Sequence, residues 1–241
     1  MNKLPFLICL LSVSFLASNA YSGVGDKGKT YGIVNLGIGQ TSMNFDAVDT
    51  EDGVIIATQS SKKTKEIPVL DLGAGYYLFD SLRTDLSVYY SSGKYKFTSG
   101  TATIPGVTQF TGTFPNGQNV TVKNKTLGVA WGVSYEFFAA SKFSPYVTVG
   151  AGYFRDEAKD QLSIKSTKKS YVGYIFGGGI SYGIDEGVDL LVGYKYLGNK
   201  NSKITFTDTL KDVTDGSTVT KTVTLKRKPT QVGHVGLMFT F

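Results

Sequence analysis

The last segment of the chain, Thr230 to Phe241, places apolar or small residues at every second position (Phe239, Leu237, Val235, Gly233), with a mixed set between them. Alternation of this period marks a strand with two unlike faces. Ending on an aromatic residue, it reads as a strand with one face in lipid and the other in a lumen. In hydrocarbon every backbone N–H and C=O must be paired within the protein, so such strands have to belong to a sheet that closes on itself.

The N-terminus points to the same compartment. Lys3, an apolar run from Leu4 to Ala17, and the small residues Ser18 and Ala20 predict a signal peptide over residues 1–20. A short periplasmic segment, 21–29, is expected to follow, and then the barrel, 30–241. The apolar run is too short for a spanning helix, and no later stretch approaches the ~20 apolar residues that one needs. The single cysteine, Cys9, lies within that run. The mature chain is therefore expected to have neither disulfides nor thiol chemistry.

A mean hydropathy of −0.04 is too polar for a helical membrane protein. Yet 15 Tyr, 15 Phe and 29 Gly in 241 residues are what a barrel uses for its interface belts and for close strand packing around a narrow lumen. Eight alternating segments can be read: Tyr31 to Thr41, Pro68 to Leu78, Leu82 to Ser92, Thr126 to Phe137, Pro145 to Phe154, Ser170 to Tyr182, Val188 to Leu197 and Thr230 to Phe241. The faces are explicit in two of them. Leu86, Val88 and Tyr90 point outward against Arg83, Asp85, Ser87 and Tyr89, and Leu127, Val129, Trp131, Tyr135 and Phe137 point outward against Gly128, Ala130, Gly132, Ser134 and Glu136. Short turns at Phe79 to Ser81, Phe138 to Ser144 and Gly183 to Gly187 alternate with four long connections, about 43–64, 93–125, 155–169 and 198–228. Outer-membrane barrels keep short turns periplasmic and long loops outside. The expected fold is all-β, an eight-stranded antiparallel up-and-down transmembrane β-barrel. A soluble barrel is the competing reading, but it would turn its apolar set inward.

Three stretches carry a family likeness: GAGYYLFDSLRTDL (Gly73 to Leu86), GGGISYGIDEGVDLLVGYKYLG (Gly177 to Gly198) and HVGLMFTF (His234 to Phe241). They resemble the small OmpX/OmpA-like surface barrels, most closely the rickettsial outer-membrane adhesins. That resemblance implies attachment to host cells through exposed loops.

The inward charges are Asp71, Arg83, Asp85, Glu136, Asp189 and Lys195, joined by His234. In so narrow a barrel they are expected to form a salt-bridged plug, with a water-filled pore as the alternative. His234 lies seven residues from the end. That places it near mid-membrane, as a histidine satisfied by a carboxylate, whereas a hydrolase would need its base at the outer rim. No residue pattern suggests a metal site or a cofactor.

The loops carry most of the net charge. Residues 93–125 hold four lysines and no acid, 198–228 hold seven basic residues against three acidic, 155–169 hold five against three, and only 43–64 is acidic, with four acids against two lysines. Basic loops are attracted to anionic surfaces. The partner contacts are expected from Lys94, Tyr95, Lys96, Phe97, Phe110, Phe114, Lys200, Lys203, Lys211 and Lys221, with the aromatics as anchors. Lys226, Arg227 and Lys228, directly above the last strand, are expected to meet the phosphates of the outer-leaflet glycolipid. The expected partners are thus a host-cell surface protein or anionic glycan, together with outer-membrane lipid, and not nucleic acid; the barrel is expected to be a monomer. Asp215–Gly216 and Asn116–Gly117, each flanked by alternating apolar residues, signal hairpins within the two longest loops. Such hairpins would continue the strands beyond the membrane, with a free edge open to strand addition; the equal alternative is that these Thr-rich loops merely extend and stay mobile.

Overall fold

The computed structural model describes residues 27–97, 99–103, 110–113, 120–138, 141–160, 166–199, 203–211 and 218–241. The expected signal peptide and the Asn116–Gly117 turn lie outside them. Twelve strands are present among the described residues: β1 (Thr30–Glu51), β2 (Val54–Phe79), β3 (Leu82–Phe97), β4 (Ser99–Thr103), β5 (Phe110–Thr113), β6 (Val120–Glu136), β7 (Phe143–Asp160), β8 (Ser166–Asp185), β9 (Val188–Asn199), β10 (Lys203–Lys211), β11 (Thr218–Arg227) and β12 (Thr230–Thr240).

A ring of eight antiparallel strands closes in the order β1, β2, β3, β6, β7, β8, β9, β12. The first and last strands seal it, with Tyr31 opposite Thr240 and Gln40 opposite Gln231. Around the ring the outward positions carry Leu36, Leu86, Trp131, Val149, Val172, Phe176 and Leu237, all exposed as a lipid-facing surface requires. The interleaved positions turn inward, including Arg83, Ser134, Glu136 and His234, and these are buried.

The strands are much longer than a membrane crossing needs. β1 has 22 residues and β2 has 26. At ~3.3 Å per residue and a tilt near 40°, β1 alone rises ~55 Å, about twice the ~25 Å apolar band of such barrels. The stretch 43–64, expected as a loop, is instead a continuous hairpin. Its tip is the two-residue turn Asp52–Gly53, with φ of 47° and 82°, the left-handed pair that a tight hairpin turn demands and that Asp-Gly supplies.

The other strands continue upward as well. β10 and β11 form a hairpin above β9 and β12, from Lys203 opposite Lys226 to Lys211 opposite Thr218. β11 takes over from β12 as the neighbour of β1, from Met43 opposite Arg227 to Glu51 opposite Val219. The hairpin expected around Asp215–Gly216 is therefore present in its flanking strands. β4 and β5 form another small hairpin, with β4 attached to β2 at residues 58–60.

Candidate functional site

Within the barrel, inward side chains form tiers. At the periplasmic end, Arg83 pairs with Glu136 at 3.1 Å. The Tyr77 hydroxyl donates to the same carboxylate oxygen at 3.3 Å. The guanidinium also lies over the rings of Tyr31 and Tyr146, 5.5 and 5.3 Å from their centroids, and against the Met238 sulfur. Asp189 is buried within electrostatic reach of Arg83 and Glu136. A charge this deep persists only where a partner charge and hydrogen bonds replace water.

In the middle tier, Lys195 pairs with Asp71 at 2.6 Å and the Asn35 amide donates to that carboxylate at 3.3 Å. Asp85 accepts from the Tyr31 hydroxyl at 3.4 Å. His234 lies beside this tier, but its partner is the Tyr146 hydroxyl, 3.2 Å from Nε2, rather than the carboxylate expected. The reason is register: Tyr146 on β7 reaches across the lumen, while the nearby carboxylate of Asp71 is already taken by Lys195 and Asn35. Val69, Tyr89, Ala130, Phe154 and Val232 close the lumen further as an apolar cluster.

A third charged tier, at the outer rim, was not foreseen. Arg227 is buried and points inward, 2.9 Å from Asp156, with its other guanidinium nitrogen donating to Thr230 at 2.7 Å and with Thr126 in contact. Burial is the largest influence and works against its charge, but the Asp156 carboxylate together with Tyr171, Tyr89 and Tyr95 holds the guanidinium above its ordinary value. Arg227 is thus turned away from the lipid. The alternation of β11 requires this, because Val223 and Leu225 share its face. Lys226 and Lys228 are exposed on the opposite face, and Lys226 lies 3.3 Å from Asp46.

Above that tier the interior changes character. Met43, Phe45, Ala47, Tyr95, Phe97, Val122, Ala158, Ile204 and Leu225 form an apolar core within the extension. The rings of Phe45 and Phe97 meet at a tilt, with their centroids 5.3 Å apart. Tyr95 and Phe97, expected as partner-facing anchors, are each 1% exposed. They hold the extension together and are not offered to a partner. Burial also pushes the Tyr95 hydroxyl above its usual range.

The lysines face outward. Lys94 and Lys96 on β3, Lys203 on β10 and Lys221 on β11 are all exposed, with Lys221 3.9 Å from Asp49. Phe110 lies on β5 opposite Ala102, and Lys211 ends β10. Phe114 and Lys200 lie outside the described residues. Among the described residues, no group of three or more His, Cys, Asp or Glu side chains is gathered as for a metal ion.

No curated protein matches the chain in sequence. Among solved structures it is similar to the outer-membrane protein OprG of Pseudomonas aeruginosa, at 15% identity over 90% of this chain and 99% of that one, with a TM-score of 0.52. It is also similar to the neisserial surface protein NspA (15% identity, 85% and 97% covered, TM-score 0.45) and to the outer-membrane protease OmpT of Escherichia coli (12% identity, 88% and 97% covered, TM-score 0.48). At such identities the likeness concerns the fold alone. The model of the outer membrane protein beta-barrel domain matches residues 7–225. That match agrees with a ring that is apolar outside and polar inside, and the chain belongs to this family of barrels of the Gram-negative outer membrane.

Proposed function

We propose that the protein is a surface adhesin, binding host-cell surface proteins through the part of its sheet that stands above the membrane, and that it carries no chemistry of its own. One observation supports this most: the extension has a separate apolar core, so it is a built surface and not slack connecting chain. Its outward positions are rich in lysine, and at the tip of the β1–β2 hairpin Val54 and Ile55 are exposed beside Asp52. The β10–β11 hairpin, with Lys203 and Lys221, and the β1–β2 tip form the side from which a partner approaches. Exposed apolar residues with charges around them are the composition of a contact patch.

The interior supports a binding role over transport or catalysis. Three charged tiers and two apolar clusters stand across the path through the ring, and His234 is held by Tyr146 within the barrel, away from the outer rim. Each strand of the ring has both of its neighbours in the same chain, so closure needs no second copy, which supports a barrel that acts as a monomer.

The test is capture of solubilised host-cell surface proteins by the refolded barrel at low and at physiological salt, beside two barrels in which a short turn replaces either the β10–β11 hairpin or the β1–β2 tip. Capture at physiological salt that falls with either replacement supports the adhesin. Capture at low salt alone, or full capture by both shortened barrels, overturns it, since diffuse attraction to basic surfaces is screened by salt.

A further inference from the structure

Three lysines stand side by side on the outward face of adjacent strands. Lys94 on β3 is opposite Lys123 on β6, and Lys123 is opposite Lys159 on β7. All three are exposed. Neighbouring strands are ~4.8 Å apart, so three ammonium groups leave the sheet within ~10 Å of one another. Like charges directly opposite across strands are unfavourable in a bare sheet. Elsewhere on the extension the chain sets acids against its lysines, as with Asp46 beside Lys226 and Asp49 beside Lys221. Among the described residues, no acid forms an ion pair with Lys94, Lys123 or Lys159. Lys96 continues the row upward on β3 and Lys125 downward on β6, both exposed. Row and register together make a compact patch of net positive charge, in which the acid standing in register among the described residues is Glu157, opposite Lys125 below the row of three.

The height of the patch indicates the occupant. The last outward apolar residues below it are Tyr90 on β3, Leu127 on β6 and Tyr153 on β7. Lys94 and Lys123 are each four residues above Tyr90 and Leu127, which at ~3.3 Å per residue and a tilt near 40° is ~10 Å above the edge of the lipid-facing band. Lys159 is six residues above Tyr153, or ~15 Å by the same geometry. The patch also faces sideways, toward neighbouring lipid, whereas a partner from another cell approaches the tips. Anionic sugar heads occupy this level, just above the acyl chains.

We infer that Lys94, Lys123 and Lys159 form a binding site for the phosphorylated sugar head of the outer-leaflet glycolipid. The site is separate from the adhesive tips, and it takes over the role that the sequence suggested for Arg227. Lysine ammoniums supply charge-assisted bonds to phosphate oxygens, and three in a row match a head that carries more than one phosphate.

The experiment compares the full barrel, refolded into phosphatidylcholine vesicles, with a Lys94→Gln, Lys123→Gln, Lys159→Gln variant and with a Lys203→Gln, Lys221→Gln control. Binding of lipopolysaccharide, intact or stripped of phosphate by a phosphatase, is measured at physiological salt. The parent and the control should prefer intact lipopolysaccharide by about tenfold or more, and the triple variant should lose that preference. Equal binding by parent and triple variant, or no preference for phosphate, overturns the site. Displacement of the parent's preference onto a soluble sulfated oligosaccharide, with lipopolysaccharide unbound, also overturns it in favour of a glycan from outside. If the triple variant does not refold, the single Lys123→Gln change at the centre of the row is read in the same way. Host-protein capture by the triple variant should equal that of the parent, so this site and the adhesin reading fail separately.

Discussion

Glu136→Gln is the most informative single change to the barrel interior. It keeps the shape of the side chain and leaves an oxygen for the Tyr77 hydroxyl, which donates across 3.3 Å. What it removes is the charge opposite Arg83, 3.1 Å away, in a pair whose side chains are 2% and 0% exposed. The guanidinium is then left with the ring faces of Tyr31 and Tyr146, the Met238 sulfur and the more distant Asp189 carboxyl, which offset only part of the loss. Removing one partner of a buried ion pair typically costs about 3–5 kcal/mol. At 1.4 kcal/mol per factor of ten, this corresponds to roughly a hundred- to several-thousandfold shift in the folding equilibrium. With an m-value near 2 kcal/mol per molar, the urea midpoint should fall by roughly 2 M. The assay is urea unfolding of the refolded barrel in vesicles, followed by the gel mobility that separates folded from unfolded barrels. Adding Arg83→Met to Glu136→Gln removes the stranded charge and should recover much of the loss. An unchanged midpoint for Glu136→Gln, or a double variant weaker than the single, would refute the claim that this tier is a closed electrostatic unit.

Other perturbations test other levels of the structure. Phe97→Ala should cost about 3–5 kcal/mol within the extension core, seen as new trypsin cleavage above the membrane while the barrel keeps its folded gel mobility; Lys96→Ala should leave the cleavage pattern unchanged. Arg227→Gln should lower the unfolding midpoint without changing lipopolysaccharide retention, and the reverse result would mean that Arg227 faces lipid after all. In planar bilayers the intact barrel should give no regular conductance steps, because paired side chains cross its interior at three levels; uniform steps would contradict that blockage.

The barrel was legible because hydrocarbon and lumen impose opposite chemistries on alternate residues. Leu86, Val88 and Tyr90 against Arg83, Asp85 and Tyr89 is a pattern with one physical solution, and the strands form where it occurs. Above the membrane the pattern inverts, since the outer face meets water and takes polar residues while the inner one becomes apolar. Tyr95 and Phe97 therefore passed for loop anchors, although they alternate with Lys94 and Lys96 as strictly as any membrane residue. The same period would have placed Arg227 with Val223 and Leu225. Asp156 was hidden for a different reason. It belongs to a stretch with mixed charges, and its pairing with Arg227 joins strands 71 residues apart in sequence, a distance over which composition carries no signal. The lysine row depends on the register between β3, β6 and β7, which no single strand reveals.

The separate core of the extension bears on how such a surface can change over generations. Its inward positions hold it upright, while its outward positions have little structural duty. Substitutions on the outer side of β10, β11 and the β1–β2 hairpin therefore leave both the membrane anchor and the scaffold beneath them intact.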